Sequence, residues 1–169
     1  MKTHSLIFLT ILFLLMAACG NNPAEEAEEV RSQALNEEFW QTYDEFMAVQ
    51  TVNAAQIEHQ YPQVMEGLNN QITTLNELDI QTEDAKEIRN SFVQGFEAMR
   101  RAYEPLEGEY EAMYNDNLST ELEENYSAKI EKSNEQMSNA LASLMEYYDF
   151  EKAEEEEIMQ KLEPWMTEP

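Results

Sequence analysis

AKEIRNSFVQGFEAMRRAYEPLEGEYEAM, residues 85–113, carries the clearest periodicity in the chain. Ala85, Phe92, Met99, Leu106 and Met113 recur every seven residues, and Phe96, Tyr103 and Tyr110 form a parallel row four positions on. On a helix of 3.6 residues per turn the two rows share one face, so this stretch predicts a helix burying a broad apolar stripe. Pro105 and Gly108 are expected to bend it near its end. Just upstream, LDIQTEDAKEI reads as a connection: Thr82 is a candidate N-cap, with Glu83 and Asp84 in the first turn where the helix dipole favours carboxylates.

The same period extends in both directions. On the N-terminal side Trp40, Tyr43, Met47, Ala54, Ile57 and Tyr61 fall at steps of three, four or seven, with Leu35, Phe39, Phe46 and Val49 widening the stripe. Pro62 interrupts this segment because it donates no backbone hydrogen bond and displaces Tyr61 from helical angles. Met65, Leu68, Ile72 and Leu75 resume the spacing. A kink and a turn both satisfy the pattern; the absence of Gly or Asn from EHQYPQV tilts the reading towards a kink. On the C-terminal side Asn115-Asp116-Asn117 predicts a turn, and Thr120-Glu121-Leu122-Glu123 has the order of a capping box. Ile130, Met137, Leu141, Leu144 and Tyr148 then line a last helix, expected to run through Ile158 and Leu162 until Pro164 stops it.

Glycines are few, apolar and polar residues do not alternate, and neither Asn-Gly nor Asp-Gly occurs, so no sheet is expected. The expected fold is all-α: an up-and-down antiparallel bundle of three long helical segments, the first kinked or split near Pro62.

The N-terminal end reads differently. Lys2, the apolar run from Leu6 to Met16 broken only by Thr10, and then Ala17 and Ala18 follow the charged, apolar, small-residue order of an export signal. The apolar run is about a dozen residues, short of the roughly 20 that cross a bilayer as a helix. Met16-Ala17-Ala18-Cys19 resembles the lipobox of bacterial lipoproteins, with Met16 where the family more often has Leu. The resemblance covers only the first twenty or so residues. It implies a diacylglycerol on the Cys19 sulfur, cleavage before Cys19 and N-acylation of the new terminus. It also implies membrane attachment in the cell envelope, facing away from the cytoplasm, with an outer membrane destination allowed. The expected organisation is a signal peptide over 1–18, a lipidated cysteine and tether over 19–24, one acidic bundle over 25–163 and a tail over 164–169.

Cys19 is the chain's only cysteine, so no disulfide holds the fold. The formal net charge is −25, with 35 acidic side chains against ten basic ones, and loss of Lys2 makes the balance more negative. Such a surface disfavours nucleic acid, whose affinity comes largely from Lys and Arg neutralising phosphates. It admits a basic partner, a polyamine or a divalent cation, and it keeps a protein soluble.

Chemistry is sparse. Nucleophilic catalysis needs a Ser, Cys or Thr beside a base, but the cysteine is assigned to lipid and His59 is the one histidine left after cleavage. Gly67, Gly95 and Gly108 stand alone rather than forming a phosphate-cradling loop. No Glu-x-x-His pair occurs, and Gln56 stands three positions before His59. His59, Glu58 and Glu66 are the candidates for a weak metal site, against the reading of His59 as a polar-face histidine. Glu154-Glu155-Glu156-Glu157 lacks the alternating ligands and turn glycine of a calcium loop. The methionines are spread along the apolar stripes and read as core filling. Phe92, Phe96, Met99, Tyr103 and Tyr110 are either core or the walls of a groove for a partner helix or apolar ligand.

The expectation for function is a membrane-anchored, non-catalytic binding or scaffolding module with no cofactor beyond the lipid, engaging an envelope protein or basic partner. The alternative is a periplasmic or extracellular capture protein for an apolar ligand, cation or basic peptide.

Overall fold

The computed structural model describes residues 22–147. Cys19, the signal-like segment, Tyr148, the Glu154–Glu157 run, Ile158, Leu162 and Pro164 lie outside the described residues, as does the expected end of the last helix. Every regular element among the described residues is helical: α1 (Pro23–Ala34), α2 (Glu37–Val49), α3 (Ala54–Glu77), α4 (Glu83–Tyr103), a 3-10 turn (Glu104–Leu106), α5 (Tyr110–Tyr114) and α6 (Thr120–Tyr147).

The expected three segments become four rods, and the division does not fall at Pro62. Asn22, Asn36 and Asn53 each cap a helix start, their side-chain oxygens accepting the amides of Ala24, Phe39 and Gln56 at 3.1, 3.1 and 2.9 Å. Each satisfies an amide that the first helical turn otherwise leaves unpaired. The chain therefore breaks at Leu35–Asn36 and reverses at Gln50–Asn53, whereas Pro62 lies inside α3 with its ring exposed to solvent. The physical reason is that water can donate to the carbonyl freed by an exposed proline, while a well-placed Asn ends one helix and starts another. Of the stripe from Trp40 to Ile57, Trp40, Tyr43, Ala54 and Ile57 are buried but Met47 is exposed, so the spacing does not trace one continuous helix face.

Cross-helix pairs fix the directions. Phe39 meets Gly67 and Phe46 meets Tyr61, so α2 and α3 are antiparallel. Tyr61 meets Tyr103 while Leu78 meets Arg89, so α3 and α4 are antiparallel too. Arg101 and Tyr103 of α4 meet Lys129 and Tyr126 of α6, and Gly95 meets Met137, which makes α6 antiparallel to α4. With Glu26 beside Thr82 and Phe39 beside Phe96, α1 and α2 lie end to end along α4 as one broken rod. The result is an up-down-up-down bundle.

The heptad seam of α4 makes it the central rod. Ala85, Ile88, Phe92, Phe96, Met99 and Tyr103 are all buried, against α1, α3 and α6. Each large apolar side chain withdrawn from water contributes about 1.5–3 kcal/mol, so this helix holds the bundle together. Gly95 allows α6 to approach: a Cβ there would sit 3.0 Å from Met137 Cγ and Cε.

The remaining ends follow their sequence signals with one exception. Pro105 converts the end of α4 into the 3-10 turn, and Gly108 takes a φ of +86° that disfavours side chains. Asp116, at φ 50°, occupies the left-handed position after α5; its amide donates to Met113 O, and that of Asn117 to Ala112 O, the bond pattern of a Schellman turn. The expected box on Thr120 is replaced by a cap from Ser119, whose hydroxyl accepts the Leu122 amide at 3.3 Å. Thr120 is the first helical residue.

Candidate functional site

Between the α1–α2 corner and α3 runs an open polar groove of about 410 Å³. Gln33, Asn36, Glu38 and Thr42 form one wall, and Gln63, Glu66, Asn70 and Gln71 the other, over a floor of Phe39 and Gly67. Steps of three and four put the α3 members on one face. The Gly67 hydrogen lets the Phe39 ring lie against α3, since a Cβ would be 3.0 Å from Cδ2. Gln71 is only 4% exposed, and the Gln33 amide donates to its oxygen at 3.4 Å, so the polar wall continues into the interior. Primary amides supply both donors and acceptors, and Glu38 and Glu66 add negative charge with no cation among the lining residues.

A second, acidic cleft of about 350 Å³ is lined by Asn22, Glu25, Glu26, Glu29, Asp79 and Gln81. Glu26 does structural work at its edge. Its carboxylate accepts the Thr82 hydroxyl at 2.6 Å, the Thr82 amide at 2.8 Å and the Gln81 amide at 3.1 Å. Thr82 holds the N-cap position as expected, but its hydroxyl serves Glu26 and makes no cap bond of its own. The Thr82 hydroxyl bond foremost, helped by the two amides and by Lys86, holds the Glu26 carboxyl below its ordinary pKa against the opposing effect of desolvation.

A third feature is a buried hydroxyl cluster. Tyr103 shares hydrogen bonds with Tyr43 and, at 3.2 Å, with Tyr126; the Tyr61 hydroxyl donates to Tyr103 O at 2.9 Å. The Met47 sulfur lies 3.6 Å from the Tyr103 hydroxyl and is partly exposed at the cluster's edge. Burial pushes the Tyr43, Tyr103 and Tyr126 phenols up, and Tyr61 to about 12. A hydroxyl kept protonated and paired fixes the register of α2, α4 and α6.

The residues singled out from sequence are dispersed. Phe92, Phe96, Met99 and Tyr103 are buried in the core rather than lining an open groove, and Tyr110 is half-buried beside Tyr61. Burial follows from α4 packing against α1, α3 and α6, which cover its apolar stripe. Glu66 lines the polar groove, Glu58 lines a separate cleft with Tyr110, and His59 is exposed. Among the described residues no group of three or more His, Cys, Asp or Glu side chains is placed to hold a metal ion. Met99 and Met137 fill the core, whereas Met47 and Met145 are exposed.

Sequence reasoning missed the amide groove and the Glu26 clasp. A signal for the first existed in Gln63 and Asn70, seven apart on α3. It was unreadable without the turn at Gln50–Asn53, which brings α2 across from them. No family model matches this chain, and no curated protein or solved structure does so either.

Proposed function

We propose that this protein is a membrane-anchored cell-envelope lipoprotein whose acidic helical bundle is a non-catalytic binding or scaffolding module. The observation that carries the reading is the short distance in sequence between two features: Met16-Ala17-Ala18-Cys19, and the first helix among the described residues, which begins at Pro23. Four residues fully extended span about 14 Å, so a lipid on Cys19 would hold the bundle close to the bilayer. Two or more acyl chains anchor stably, since each buried methylene contributes about 0.8 kcal/mol. Confinement to a surface raises the effective concentration of the bundle for other envelope components. The carboxylate-rich exterior repels anionic headgroups and favours basic partners.

Mass spectrometry of the native product tests the anchor. Diacylglycerol on an N-terminal Cys19 supports it, and a free thiol or a retained leader overturns it. Crosslinking in the native envelope tests the module: specific adducts support it, and recovery of the bundle alone argues against it.

A further inference from the structure

We propose that the groove between α2 and α3 is a docking site for an extended polypeptide segment carrying basic side chains. This rests on the binding-module reading and assigns it a surface. The α3 wall runs seven steps along the helix from Gln63 to Asn70, a rise of about 10.5 Å, the length of roughly three residues of extended chain. Extended backbone presents its N–H and C=O groups at regular intervals, and primary amides are suited to both because each carries a donor and an acceptor. Gln63 and Asn70 thus meet the backbone of a guest, with the Asn36 amide nitrogen beside them while its oxygen caps α2, and Glu38 and Glu66 meet the guest's side chains. No lining residue is cationic, so Lys or Arg is favoured and acidic segments are repelled.

Burial separates this groove from an ordinary solvated face. A polar side chain withdrawn from water is costly unless it is hydrogen-bonded, yet Gln71 is almost fully buried and meets Gln33 across the groove. This bond ties α1 to α3 at one end of the groove, so the walls are joined there before a guest arrives. Preorganisation of this kind reduces the entropy cost of binding. The groove is open along its length, which suits a continuing chain more than an enclosed small molecule.

The test is fluorescence anisotropy with a labelled alternating alanine–lysine hexapeptide at near-physiological salt. The comparison probes are its alanine–glutamate counterpart, spermidine and a chitin oligosaccharide. Saturable micromolar binding of the lysine peptide is expected, weakened about tenfold by Gln63→Ala with Asn70→Ala, the loss of two ordinary hydrogen bonds. Glu66→Gln weakens it as well, and because that residue is exposed the single variant keeps the test intact should the double variant fold poorly. Glu124→Gln, on the distant α6 surface, leaves binding unchanged. Equal losses from Glu66→Gln and Glu124→Gln mean diffuse attraction and overturn the assignment, as does binding of the oligosaccharide or spermidine in place of the peptide. A photocrosslinker at position 70, compared with one at 124 in the native envelope, separates the two levels of the argument. Adducts from 124 but not 70 remove the groove and leave the module; adducts from neither remove both.

Discussion

The carboxylate of Glu26 in α1 accepts both the hydroxyl and the backbone amide of Thr82, at 2.6 and 2.8 Å, so one helix caps the start of another. These two residues are 56 positions apart in the chain. The bonds have the logic of a local N-cap, a side-chain oxygen meeting amides at a helix start, supplied from elsewhere in the fold.

Glu26→Gln is expected to lower the melting temperature at neutral pH, because the amide retains one acceptor oxygen and loses the charge. The pH dependence has a definite sign. A carboxyl whose folded pKa lies below its unfolded value adds stability above the unfolded value, and that contribution is lost as pH falls through the folded one. Thermal melts of the wild type should therefore decline on acidification, and the Glu26→Gln protein should show a shallower decline over the same range. Parallel profiles would contradict the clasp.

Tyr103→Phe removes the hydroxyl that both Tyr43 and Tyr126 meet. Two buried hydroxyl–hydroxyl bonds are lost, and each such bond contributes about 0.5–1.5 kcal/mol. Urea titration should show a lower midpoint at unchanged slope.

Alkaline behaviour follows from the same cluster. Tyrosines with raised folded pKa values contribute stability that is complete below the unfolded value near 10 and is lost as pH rises through the folded values. Spectrophotometric titration should resolve two groups among the chain's eight tyrosines. The late group is Tyr43, Tyr61, Tyr103 and Tyr126, whose ionisation is accompanied by loss of helical circular dichroism. A single smooth titration with the helices intact would refute this.

Ser133 is fully buried in α6, and its hydroxyl has no hydrogen-bond partner among the described residues. Ser133→Ala removes an unpaired polar group and improves helix propensity, so stability should rise by about 1 kcal/mol. A fall in the denaturation midpoint would mean that the hydroxyl is paired in solution.

Asn53→Ala separates the two readings of the chain's first half. In a continuous helix this change would stabilise through propensity; at the observed cap it should cost about 1 kcal/mol. The sign of the shift in a thermal melt decides.

Much of the fold was legible because helical periodicity is a local property. The seam from Ala85 to Met113, the turn at Asn115–Asn117 and the bend at Pro105–Gly108 follow from residues within a few positions of one another. The reversal at Gln50–Asn53 is equally local, marked by Asn53, whereas Pro62, the stronger helix breaker by composition, stands inside a helix. A proline's cost depends on whether solvent reaches the carbonyl it frees, and that exposure is set by tertiary packing. The candidate site was less legible for a related reason. Glu26 with Thr82, and Gln33 with Gln71, are pairs between separate helices, so neither member stands out until the rods are assembled. The aromatic row on α4 was visible from the start, but only its neighbours show that Phe92 and Phe96 are interior.

Because α1 lies lengthwise along its neighbours and is tied to the head of α4, tension applied upstream of Asn22 along the bundle enters as shear. The Glu26 carboxylate and the flanking apolar contacts of Ala27 and Val30 would have to yield together rather than one after another. The bundle is thus built to resist being peeled from its α1 end.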